Sequence, residues 1–245
     1  YIGDISVLNH TWGGSTSVPA LMTGYKASKN VIPVSFESLK IFNVNVLNSS
    51  PDYNWTEKDL LIFKSCFQRW EEIIVSTPTG KKINISLDVQ TLDPGVLGQA
   101  YISDSESINQ NSNYYLGNIA PLAGSFTLSY TYVVSMGNNI RPSGKSELYY
   151  VALHEVGHIL GIGTTWFQSG DPAFLTISNS SDKFYNSENA VREYRKYFAE
   201  YDSLEYIPVE DDGGGGTAGS HPEEGDNNSH SLDDRTIGNT FYPGT

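Results

Sequence analysis

The spacing of apolar positions changes along the chain and divides it into readable segments. Residues 1–30 are rich in Gly, Ser and Thr without a sustained period and read as an irregular leading segment. Short alternations at Val31–Phe36 and Asn43–Leu47 predict strands, with Pro33 confining the first to an edge or a strand start. From Thr56 the period lengthens. Leu60, Phe63, Phe67, Trp70 and Ile74 fall on one helix face, and Thr56 with Asp59 stands where a capping pair belongs, so the spacing predicts an amphipathic helix over 57–75. Ile83, Ile85, Leu87 and Val89 then alternate with Asn84, Ser86 and Asp88, the pattern of a strand with one buried face. Further strands are expected at 98–103 and 126–134, with a polar, turn-like stretch over 103–113 between them. Breakers across Asn138–Gly144 should end the sheet region.

A second strong helix follows, with Ser146 as its cap and a broad apolar face of Leu148, Val151, Ala152, Val156, Ile159 and Leu160 up to Gly161. Residues 162–186 read as loop. Ser187–Glu200 is expected to be a third helix, with Ala190, Val191, Tyr194, Tyr197 and Phe198 on its apolar side. Beyond Pro208 the composition turns acidic and glycine-rich. No internal repeat of fixed period is present.

The chemistry is concentrated in the second helix, at His154-Glu155-Val156-Gly157-His158. Residues four apart share a helix face, so both imidazoles can address one ion while Glu155 reaches a water on it. That arrangement suits zinc-assisted hydrolysis, with Glu155 as general base. A chance occurrence in a chain of this composition has odds of about one in two hundred. The bland alternative, two surface histidines on an ordinary helix, fits poorly with the apolar opposite side. A catalytic zinc site usually has three protein ligands. In the metzincin pattern a glycine ends the helix and a third histidine follows three residues later. Gly161 fits the glycine, but Thr164 stands in the histidine's place, and the helix stops too early to supply a carboxylate of its own. The remaining candidates are His10, His221 and His230, with nearby acids as a fallback. His221 is favoured, because Gly213–Gly216 and Gly219 give a permissive backbone and Thr217-Ala218-Gly219-Ser220 places only small side chains before it.

Here the sequence resembles the leishmanolysin family of zinc metallopeptidases, in which a long insertion separates the metzincin glycine from the third histidine. His221 lies 63 residues beyond His158. Ile207-Pro208-Val209-Glu210 and Gly216-Thr217-Ala218-Gly219-Ser220-His221 look like the family's approach to its third ligand, and Tyr185–Val191 resembles its preceding helix start. The resemblance implies zinc bound by His154, His158 and His221, with Glu155 as general base. It implies an α+β, metzincin-like zincin fold: a twisted mixed sheet with a backing helix and a zinc helix, plus a smaller irregular C-terminal lobe. The lobes would cover 31–161 and 162–245. It also implies a peptide or protein substrate, extended along an edge strand expected near Leu116–Phe126, and an extracellular or cell-surface location. Two departures stand out. Pro222 occupies a position where family members commonly have Trp, and both methionines, Met22 and Met136, precede the zinc helix, whereas metzincins carry a methionine turn after the third ligand. The ending at Thr245 is read as a truncation before that turn. A non-catalytic secreted or surface module keeping a degenerate peptidase fold is the rival reading, favoured by the missing turn and opposed by the intact Glu155.

Composition narrows the field further. The 245 residues carry 28 acidic and 15 basic side chains, a formal charge of -13, which repels phosphate backbones and makes nucleic acid an unsuitable partner. No apolar run is long enough for a membrane span. One cysteine, Cys66, permits no internal disulfide and no thiolate zinc site, and it reads as a small core hydrophobe. The absence of cysteine pairs leans toward a bacterial-type relative. The start at Tyr1 fits removal of a signal or pro-segment, and six Asn-x-Ser/Thr sequons (Asn9, Asn48, Asn54, Asn84, Asn179, Asn227) add weak support for secretion. Glu223, Glu224, Asp226, Asp233 and Asp234 read as a solvated tail; calcium is the sharper alternative there, without an ordered loop motif to support it. Nothing in the sequence fixes the oligomeric state; a monomer is the simplest expectation.

Overall fold

In the computed structural model, residues 34–107, 119–163, 165, 174–176, 183–197, 205–210 and 218–222 are described. The elements run β1 (Phe42–Val46), α1 (Glu57–Ile73), β2 (Ile83–Gln90), β3 (Gly98–Ser107), β4 (Ile119–Ser129), α2 (Tyr130–Asn138), α3 (Glu147–Ile159), β5 (Phe174–Thr176), β6 (Lys183–Tyr185), α4 (Glu188–Tyr197) and β7 (Ile207–Val209). All the described residues fall in one compact unit, Val34–Thr245. The fold is mixed α+β, with four helices among the described residues.

The larger sheet has the order β1-β2-β4-β3. β1, β2 and β4 are parallel, and β3 closes the sheet antiparallel to β4, so the sheet is mixed as expected. A smaller antiparallel sheet, β5-β6-β7, follows α3.

Helix α1 forms where its pattern says it should. Thr56 and Asp59 make the reciprocal capping box, and Phe63, Cys66, Phe67 and Trp70 turn inward. There they meet the sheet in aromatic pairs, Phe42 with Phe67 at 5.1 Å and Phe63 with Phe126 at 5.6 Å between ring centroids. Cys66 is fully buried in this cluster, and burial raises its thiol pKa well above the usual value, consistent with a packing role. Helix α3 is apolar nearly all round because it lies between α1 on one side and β3 and β4 on the other. Trp70 Nε1 donates to the Leu153 carbonyl at 3.2 Å, and Gly124 of β4 faces Ile159 so closely that an added Cβ would stand 2.5 Å from Ile159 Cγ2. The sheet can approach the helix there only because the strand position is bare.

Several expectations change. Residues 34–36 form no strand. The stretch 126–134 is not one strand: β4 begins at Ile119, and from Tyr130 the chain turns into α2, burying Val133 and Met136. The turn-like stretch expected over 103–113 does not begin at Ser103, since β3 continues to Ser107 by pairing with β4 through register shifts around Asp104, and residues 108–113 lie outside the described ones. Finally, β4 lies between β2 and β3, so residues 119–126 are interior and the edge beside α3 is β3. The 162–186 stretch contains β5 and β6, and α4 falls within the third helix expected over 187–200, of which 198–200 lie outside the described residues. No helix among the described residues is long and apolar enough to cross a membrane.

Candidate metal centre

The site begins with how α3 is started and stopped. The Ser146 hydroxyl accepts from the Tyr149 N–H at 3.3 Å, satisfying an orphan donor of the first turn. At the other end Gly161 takes φ +105, a left-handed conformation that a side chain resists. The Ile162 N–H then donates to the Gly157 carbonyl and the Gly161 N–H to the His158 carbonyl, both at 3.0 Å, a Schellman termination. The turn folds back on the helix, and the Ile162 carbonyl ends 2.8 Å from His158 Nδ1. A carbonyl only accepts, so Nδ1 carries the proton and Nε2 of the neutral ring presents its lone pair.

His154 and His158 project from adjacent turns of α3, and His221 arrives from the far end of the chain. Their Nε2 atoms form a triangle: His154 to His221 is 2.9 Å, His158 to His154 3.0 Å, and His158 to His221 3.0 Å. Each neutral ring nitrogen either donates or accepts, so no assignment of protons makes all three sides of such a triangle attractive. A cation among the three satisfies every side at once. Zinc ligands stand about 2.0–2.1 Å from their ion, so three of them spread evenly in a plane lie about 3.6 Å apart. The tighter triangle here fits three donors gathered to one side of an ion. His154, Gly157, His158, Ile162, Ser220, His221 and Pro222 line one small depression. Burial pulls the His158 imidazole down to about 4, with the Ile162 carbonyl opposing and His221 adding to the shift. The ring is thus held in the neutral form.

His221 is held in place by backbone pairing. Val209, the last residue of β7, bridges to Pro222, the Glu210 N–H donates to the His221 carbonyl at 3.0 Å, and the Gly219 N–H donates to the Glu210 carbonyl at 2.5 Å. Gly219 has φ +77, which lets the segment turn tightly just before the histidine. β7 is in turn paired with β6, so the smaller sheet carries the 218–222 segment.

Glu155 is 7% exposed, and burial pushes its carboxyl up to about 8. A divalent cation nearby would favour the carboxylate instead. Its side chain packs on the start of the edge strand: a Cβ added at Gly98 would lie 3.2 Å from Glu155 Oε1 and 3.3 Å from its Cγ.

His154, His158 and His221 are therefore gathered in one place, with Glu155 beside His154 in the sequence of α3, and the three histidines are the only such metal-capable group among the described residues. His10, His230 and the acids Glu223, Glu224, Asp226, Asp233 and Asp234 lie outside those residues, as do Thr164 and the Gly213–Gly216 run. Met136 is a core residue of α2. Sequence reasoning missed the Ile162 carbonyl and Gly98. A backbone acceptor leaves no mark on residue type, and Gly98 reads as an ordinary strand start.

Comparisons with known proteins point to the same stretch of chain. The peptidase M8 family, leishmanolysin, matches residues 133–242. The leishmanolysin of Leishmania chagasi is 40% identical over 76 residues, 29% of this chain and 12% of that protein. The leishmanolysin of Leishmania major is 37% identical over 76 residues, again 29% of this chain and 12% of the relative. The matched stretch thus spans about an eighth of the length of these relatives.

Proposed function

We propose that this chain, similar to leishmanolysins over residues 133–242, is a zinc-dependent endopeptidase with a metzincin-like site. His154, His158 and His221 hold the ion and Glu155 is the general base. The single observation that carries this reading is the closed triangle of three Nε2 atoms, two of them from the helix that also bears Glu155 and the third from His221. When bound, zinc supplies Lewis acidity toward a carbonyl oxygen and lowers the pKa of a water to about 7. Glu155, held dry against Gly98, takes the proton of the attacking water at its carboxylate and delivers it to the leaving amine nitrogen. His158 is fixed in orientation and tautomer by the Ile162 carbonyl, which keeps its Nε2 available as a donor.

Strand β3 ends the sheet next to α3, so it offers main-chain hydrogen-bonding groups for an extended peptide at the same edge that supports Glu155. The substrate is an unfolded or extended polypeptide segment lying along β3. The family resemblance also carries an extracellular or cell-surface location and a division into lobes at 31–161 and 162–245.

The test is a peptide-library assay run beside metal analysis on the chain and its Glu155→Ala and His221→Ala variants. Glu155→Ala should lower cleavage by about 10²–10⁴-fold with zinc retained, and His221→Ala should lose zinc affinity and cleavage together. Cleavage by Glu155→Ala at the rate of the parent would remove the mechanism. A zinc-loaded parent that cleaves nothing in the library would favour the non-catalytic module.

A further inference from the structure

The turn that ends α3 contains two glycines with left-handed backbones, Gly161 and Gly163, and only the first is explained by helix termination. Gly163 has φ +78 and lies under the segment that carries the third histidine. A Cβ at this position would run into the Ser220 carbonyl, with the carbonyl carbon 2.7 Å and the Cα 3.0 Å away. These are backbone atoms, so they cannot swing aside as a flexible side chain would. Ser220 immediately precedes His221, and the 218–222 segment is already constrained from its other side by Glu210 and Val209. Any displacement of Ser220 is therefore passed to the His221 ring, whose Nε2 sits 2.9–3.0 Å from its two neighbours.

From this contact we propose that Gly163 is a positioning residue for the metal centre: its missing side chain is the seat on which the His221 segment rests. The inference rests on the reading of His154, His158 and His221 as zinc ligands. The turn serves two ligands at once. Its Ile162 carbonyl orients His158 and, one residue on, its bare Cα admits the backbone that delivers His221. Gly163 touches no substrate and acts only through His221.

Gly144 provides the control. It has the same φ of +78, yet an added Cβ there meets nothing within 4 Å, so Gly144→Ala carries the backbone strain without the collision. The experiment measures zinc affinity by chelator competition in the parent chain, Gly163→Ala, Gly144→Ala, His221→Ala and the Gly163→Ala/His221→Ala double variant, with circular dichroism of each metal-free protein. Gly163→Ala should weaken zinc binding by about 10- to 100-fold, Gly144→Ala should stay within twofold of the parent, and Gly163→Ala should have no further effect once His221 is gone. Parent-like affinity in Gly163→Ala would overturn the proposal. So would an equal loss in the His221→Ala background, because the residue would then act through something other than that ligand. Loss of the folded state in Gly163→Ala would overturn it too, since the contact would be supporting the fold and not one ligand. If instead His221→Ala binds zinc as the parent does, the zinc-ligand reading itself falls, and this inference falls with it by a separate measurement.

Discussion

The carboxyl of Glu155 rests against a residue with no side chain, and that contact makes Gly98 a lever on the proposed chemistry. Gly98→Ala would press a methyl on Glu155 Oε1 and Cγ and on Val151 Cγ1, all at 3.2–3.3 Å. None of these atoms belongs to a histidine ring. Displacing the carboxylate by a fraction of an ångström should cost about tenfold in cleavage rate, while zinc stoichiometry, read by metal analysis, stays at the parental value. At this scale the sequence was most legible where residue type itself carries chemistry. His154, Glu155 and His158 announce themselves by spacing, and His221 by the small residues before it. The supports were illegible because they are backbone or absence: the Ile162 carbonyl, the bare Cα of Gly163 and the bare Cα of Gly98.

Elements were legible in proportion to how regular their burial is. α1 turns an apolar stripe to the core, α3 is buried nearly all round, both begin at a side-chain cap, and β2 alternates apolar and polar residue types, so their periods appear in the sequence. The β4–α2 junction did not show, because Tyr130, Tyr132, Val133 and Val134 have the composition of a strand while the chain turns helical to bury Val133 and Met136 on one face. β3 extends through Asp104, Ser105 and Glu106 because its one partner, β4, supplies the pairing that its side chains do not advertise. β2 also holds a buried acid. Asp88 accepts from the Ser49 and Val89 N–H groups at 3.1 and 2.9 Å and from Gln90 Nε2 at 2.7 Å. Burial pushes its pKa up, but these donors outweigh it and hold the carboxyl below 3.8. A carboxyl with a depressed folded-state pKa adds stability that is present above 3.8 and is lost as the pH falls through the folded value. Asp88→Asn should therefore be less stable than the parent near neutral pH, and urea titrations should show the gap narrowing as the pH drops below 3.8.

Across the whole molecule, the larger sheet and its two packed helices form the platform, and the smaller sheet delivers one residue to it. The order β1-β2-β4-β3 could not be read from the sequence, since neighbouring strands need not be consecutive and the described part of the expected edge near 116–126, residues 119–126, is interior. The proposed ion joins the platform to the delivered segment through side chains alone. Chelation should accordingly raise amide hydrogen exchange at Glu210 and across 218–221 while leaving β2 and β4 near their original protection; uniform exchange changes throughout the chain would contradict that partition. There is a topological side to the same triangle. With its lone Cys66 buried, the chain can form no internal disulfide to shorten its reach. An ion shared by His158 and His221 would tie a ring of 63 residues, a cross-link whose entropic effect on the unfolded chain is about 4 kcal/mol in a loop-closure estimate. On that view the metal is also this cysteine-poor protein's staple, one that fastens and opens with metal supply instead of with redox state.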